Sequence, residues 1–128
     1  MSMEMDAVDK LVFHVIEKVS EDECDLDKAT ESVISFSHEN LLSPETLLKL
    51  SFIFGNDKMF REEYVVSRAS ASLFSGKMRE EAHMVAGKTA SLLGLMESAA
   101  REFKEILEEN PGNIEALCGY GSMLAGAG

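Results

Sequence analysis

One feature constrains this chain more than any other: apolar residues recur every three or four positions from end to end. Val8, Leu11, Val12, Val15, Ile16 and Val19 form one stripe, with Asp9, Lys10, Glu17 and Lys18 between them. That spacing puts the apolar side chains on one face of a helix, whereas a half-buried strand would alternate. It predicts a first helix over about 5–19. Ser20-Glu21-Asp22-Glu23 reads as a capping box for a second helix, which turns Leu26, Ala29, Val33 and Phe36 inward and stops near Asn40. Ser43-Pro44-Glu45 is a start signal: the serine caps, the proline takes the first helical position, and the glutamate meets the positive end of the dipole. The third helix is expected to reach about Phe54 and to stop at Gly55-Asn56. Its run from Leu47 to Phe54 is apolar nearly all round, so periodicity alone also allows a strand; the proline start and Gly-Asn stop favour a buried helix.

Four more helices are expected at about 57–74, 77–93, 95–109 and 113–125, separated by Ser75-Gly76, Gly94 and Asn110-Pro111-Gly112. The predicted fold class is all-α, with about seven antiparallel helices stacked as helix-turn-helix pairs in one domain, 1–128. Short links force consecutive helices to run antiparallel.

Charge narrows the partners. The chain carries 23 acidic and 12 basic residues, a net charge of −11. Nucleic-acid binding needs a basic patch that releases counterions, and no Lys/Arg cluster is present. The same repulsion disfavours docking on anionic membranes. Lys88 and His83 interrupt the best apolar stretch, 82–96, so no segment reads as a bilayer span. Cys24 and Cys118 lie far apart and outside any CxxC, which fits a reducing compartment. Met1-Ser2-Met3-Glu4-Met5-Asp6 carries acid where a signal peptide carries base. A cytoplasmic location is expected.

No residue set reads as catalytic. Glu80-Glu81-Ala82-His83 contains one Glu-x-x-His, but a di-metal bundle site needs two such units and further glutamates. The acidic stretch Glu21–Asp27 lacks the glycine of a calcium loop and is followed by Lys28; it reads as capping charge. Gly119-Tyr120-Gly121-Ser122 mimics a nucleophile turn, yet no strand precedes it, and packing is the better reading. His14 reads as a boundary residue beside the first stripe. Neither an enzyme nor a metal or cofactor is expected. Ser67, Ser70 and Ser72 suit either close contact with a neighbouring helix or an exposed polar face. Methionines generally fill helical cores, and Met78, Met84, Met96 and Met123 could alternatively line an adaptable partner groove.

The prolines of Ser43-Pro44 and Asn110-Pro111 stand 67 residues apart, close to two periods of about 34 residues for a helix-turn-helix repeat. The segment 80–113 resembles one tetratricopeptide repeat. Gly87 stands where that family keeps a small residue in the first helix, Gly94 at the turn, Ala99 where the second helix approaches the first, Phe103 in the layer between pairs, and Pro111 at the unit's end. Ile114, Leu117, Tyr120 and Gly121 resemble the opening of a further, partial repeat over 114–128. Upstream, Phe36 and Pro44 repeat the spacing of Phe103 and Pro111. The unit 45–79 departs from the pattern, and a phase with Gly76 as the turn inside a pair competes there.

The resemblance implies a non-catalytic scaffold that binds a peptide or partner helix in a concave groove. Carried over, the groove holds Glu81, Met84, Lys88 and Ser91 on the fifth helix and Glu115, Cys118 and Ser122 on the seventh. The paired Lys and Asn clamp that some members use for a C-terminal carboxylate has no counterpart, because only Lys88 is basic there. A terminal solenoid helix should be polar outside, yet the seventh carries Leu117, Tyr120, Met123 and Leu124. Those four residues are the expected interface of a homodimer, the alternative structural role.

Overall fold

The computed structural model describes residues 3–22 and 24–127. Seven helices and no strand occur among them: α1 Met3–Glu21, α2 Leu26–Glu39, α3 Pro44–Asn56, α4 Phe60–Leu73, α5 Gly76–Leu92, α6 Met96–Glu109 and α7 Ile114–Ala127. The all-helical expectation holds. From α3 onward each helix packs on the next in the chain, and α5 also touches α7. The first pair breaks this order, since α1 and α2 pack on each other and both lie against α4, while α2 makes little contact with its chain neighbour α3. α4 is therefore the hub of the molecule, touched by α1, α2, α3 and α5.

Local chemistry sets the helix ends. The Ser43 hydroxyl accepts from the Thr46 N–H at 3.2 Å, and Pro44 begins α3 as expected. Asp25 accepts from the Lys28 N–H at 3.2 Å, and Asn113 from the Ala116 N–H at 2.9 Å. Side-chain oxygens here satisfy backbone donors that have no partner inside the helix. One residue in the left-handed region stands at each of four successive turns: Leu41 (φ 53°), Lys58 (φ 60°), Gly76 (φ 67°), the first residue of α5, and Gly94 (φ 77°).

Three expectations about boundaries are corrected. Ser20-Glu21-Asp22-Glu23 does not cap α2, because α1 runs on to Glu21, where Lys18 pairs with Glu21 at 3.2 Å, and Asp25 caps instead; Glu23 lies outside the described residues. Gly55-Asn56 does not stop α3, which continues through both before turning at Asp57-Lys58. Pro111, which in the resemblance also begins the next first helix, sits instead in a turn, and Asn113 caps α7.

One apolar cluster runs through the molecule, joining Leu11 and Val15 of α1, Val33 of α2, Leu47 of α3, Val65 and Ala69 of α4, Ala86 and Ala90 of α5, Phe103 and Ile106 of α6, and Ala116 of α7. α4 buries Tyr64, Val65 and Val66 together with a run of small residues. Ser67, Ala69, Ser70 and Ala71 are all buried, and their size lets neighbouring helices approach closely. The Ser70 hydroxyl donates to the Pro44 carbonyl at 2.8 Å, and the Ser67 hydroxyl donates to that of Tyr64 at 3.0 Å. The serine alternative thus resolves as close contact for Ser67 and Ser70, while Ser72 is exposed.

Candidate functional site

α5 and α7 stand side by side because α6 turns back between them, and Phe103 of α6 fixes their approach. An atom added at Gly87 of α5 would lie 2.8 Å from the Phe103 ring, and one at Gly119 of α7 would lie 2.7 Å from it. The ring is held between two glycine backbones. Gly87 and Phe103 are in close contact, Ala99 is fully buried, and Gly94 takes the left-handed turn. From the sequence Gly119 reads only as a packing residue of α7, with no partner assigned; the Phe103 ring is that partner.

A cleft of about 340 Å³ opens at the α5–α7 side, lined by Lys77, Glu80, Glu81, Met84, Asn110, Asn113 and Glu115. Of the seven residues expected in the groove, Glu81, Met84 and Glu115 line it. Lys88 forms an ion pair with Glu115, so the only cation expected there is already engaged across the two helices. Ser91 is half-buried near the end of α5, while Cys118 and Ser122 are exposed on α7 beyond the cleft. Sequence reasoning missed Lys77, Glu80, Asn110 and Asn113. The Glu80 carboxylate accepts from the side-chain amides of both asparagines, which ties α5 to the α6–α7 turn. These asparagines lie 30 and 33 residues away in the chain, which is why no local pattern shows the pairing.

Glu80 and His83 share a helix face but serve different partners. Glu102 of α6 is 4 % exposed and accepts twice: from the His83 imidazole (Nδ1 to Oε2, 2.6 Å) and from the Arg68 guanidinium (Nε to Oε1, 2.8 Å). Arg68 also pairs with Asp27, and its guanidinium carbon lies 5.5 Å from the centre of the Tyr64 ring. One chain of charges thereby links α2, α4, α5 and α6. The carboxylate fixes the imidazole tautomer, since only an Nδ1–H can donate to it. The other ring nitrogen, Nε2, is buried without a partner. A polar cleft of about 260 Å³ flanks the group, lined by Arg68, Ser72, Arg79, His83, Arg101, Glu102 and Glu105. Burial raises the Tyr64 phenol above its usual range.

Among the described residues no His, Cys, Asp and Glu group is arranged to hold a metal ion, and no helix is long and apolar enough to cross a membrane. His14 stacks on Phe36 with ring centres 4.5 Å apart and pairs with Ser32 at 3.0 Å. Both cysteines are free and exposed.

The four residues expected at a homodimer interface divide between two faces of α7. Tyr120 and Met123 pack against the chain's own core. Leu117 and Leu124 are 50 % and 52 % exposed. Comparison with family models, with curated proteins and with solved structures finds no match.

Proposed function

We propose that this chain is a non-catalytic interaction module that receives an extended peptide or partner helix in the cleft between α5 and α7. The observation that carries this reading is that cleft. It lies where α5 and α7 run side by side against α6, and it is lined by the exposed Glu81 and Glu115 with the half-buried Met84. Two neighbouring helices held at a fixed spacing by a ring give a preformed surface, and a preformed surface lowers the ordering cost of binding. The tetratricopeptide resemblance of 80–113 supports the same assignment.

The test compares capture by the intact chain, by Glu81→Lys and by Lys104→Glu. Glu81 is exposed and its reversal changes the charge of the cleft; Lys104 is exposed and outside the cleft lining. A partner retained by Lys104→Glu and lost by Glu81→Lys supports the reading. Equal capture by all three would overturn it.

A further inference from the structure

Carboxylates line several clefts of this molecule, and most of them are engaged inside the chain. In the cleft beside Arg68, Glu102 meets Arg68 and Glu105 meets Arg79. In another, of about 220 Å³ at the start of α2, Asp25 caps the helix and Asp27 pairs with Arg68. The cleft between α5 and α7 differs. Three carboxylates, Glu80, Glu81 and Glu115, line it with one ammonium, Lys77. Glu115 is paired with Lys88. Glu80 accepts both asparagine amides on a single oxygen, Oε1, so its second oxygen keeps its acceptor capacity. Glu81 is exposed and forms no ion pair among the described residues. Lys77 stands one turn before Glu81 on α5, which is the weaker order for a helical pair.

The acids are also held in place. Asn113 uses its side-chain oxygen to accept from the Ala116 N–H, which leaves its amide nitrogen to meet Glu80. The cap of α7 therefore positions the Glu80 carboxylate in advance, and binding does not have to order it. Met84, half-buried, supplies an apolar and adaptable part of the lining.

A fitting group carries positive charge at the end of an aliphatic stem, so that the stem covers Met84 while the head reaches the carboxylates. Lysine and arginine side chains have this build. A C-terminal carboxylate, which some tetratricopeptide proteins hold, would meet like charge here. The chain's net charge of −11 also draws a basic segment in from a distance. Resting on the α5–α7 cleft as the binding surface, we propose that its partner is a basic peptide segment. One Lys or Arg side chain of that segment lies along Met84, with its head at Glu80 and Glu81.

The test is fluorescence anisotropy with three labelled synthetic peptides of equal length. One alternates lysine and serine, one replaces lysine by glutamate, and one replaces it by diaminopropionate, which keeps a positive charge on a much shorter stem. Salt is held at about 0.15 M, where distant charges are screened. The intact chain is compared with Glu80→Gln/Glu81→Gln and with Glu17→Gln/Glu31→Gln, an equal loss of charge at exposed positions on α1 and α2. Circular dichroism checks that both variants keep their helices. The lysine peptide should bind the intact chain most tightly. The cleft variant should weaken it about tenfold, as the loss of two exposed ion pairs allows, and the control variant should leave it unchanged. The diaminopropionate peptide should bind about fivefold more weakly than the lysine peptide.

No binding of the lysine peptide would overturn the proposal, as would tighter binding of the glutamate peptide. Equal weakening by both variants would show overall charge alone and overturn it too. Equal binding of the lysine and diaminopropionate peptides would remove the stem and the proposal with it. In each of these cases, partner capture that Glu81→Lys abolishes would still support the cleft itself, so the two readings fail separately.

Discussion

The two halves of this molecule solve the same packing problem with different chemistry. In α5–α7 the helices follow one another in order, the left-handed turns at Gly76 and Gly94 are glycines, and one aromatic ring set between Gly87 and Gly119 fixes the spacing. In α1–α4 the order is broken, since α2 lies on α4 more than on α3. The left-handed turns there hold Leu41 and Lys58, and the close contacts of α4 rely on buried serines that bond back to carbonyls. Glycine carries no steric cost at such turns, and leucine does. The C-terminal half is therefore locally consistent, while the N-terminal half is held by tertiary contact against local preference.

The sharpest way to break this contrast is Phe103→Ala, which empties the space between Gly87 and Gly119. Large-to-small aromatic changes in cores cost about 4 kcal/mol, and denaturant unfolding should show that loss, with amide exchange rising first in α5 and α7. Glu102→Ala comes next. It leaves the Arg68 guanidinium and the His83 ring without their shared acceptor, and breaking a buried pair costs about 3 kcal/mol. Because that carboxylate joins α4 to α5 and α6, its loss should loosen the contact between the halves more than either half alone. Gly119→Ala drives a methyl group into the ring and should cost about 2 kcal/mol. Adding Phe103→Leu should recover part of it; strictly additive losses would show that the glycine and the ring are not coupled.

A smaller effect of opposite sign is expected at Leu41, which is 92 % exposed at φ 53°. Leu41→Gly relieves about 1–2 kcal/mol of left-handed strain against about 0.5–1 kcal/mol of added chain entropy. A gain of about 0.5 kcal/mol in unfolding free energy should result.

The smallest effect concerns pH. Burial raises the Glu63 carboxyl above the ordinary glutamate range, and the Thr89 hydroxyl at 3.0 Å opposes the shift. The folded chain thus holds this proton more tightly than the unfolded one. The stability it contributes is complete below the ordinary glutamate range and fades as pH rises through the raised value. Thermal unfolding followed from acid to neutral pH should show a shallower decline for Glu63→Gln than for the parent; identical slopes would remove Glu63 as the cause.

How much could be read from the sequence follows the same division. Gly87, Gly94 and Ala99 stand out because each acts within one helix pair, and Phe103 because its contacts are to the helices directly before and after its own. Gly55 was misread as a stop. Its absent side chain instead makes room for the Glu63 carboxylate of α4, which lies where a side chain would begin. The site around Glu102 was invisible because it joins positions 27, 68, 83 and 102, and each of those charges looks like part of a solvated helix face. The cleft was legible only in part: Glu81, Met84 and Glu115 were carried over from the resemblance, whereas Glu80, Asn110 and Asn113 meet only because the α6–α7 turn folds back on α5.

The ring of Phe103 has a kinetic consequence. A core phenylalanine turns over by pushing aside flexible neighbours, but this one has backbone on two sides. Close-packed interiors yield only by moving whole elements, so the ring can rotate only when α5 and α7 draw apart together, a collective motion of microseconds or slower. Its flip rate, read from aromatic proton line shapes, is then a clock for the opening of the cleft those two helices frame.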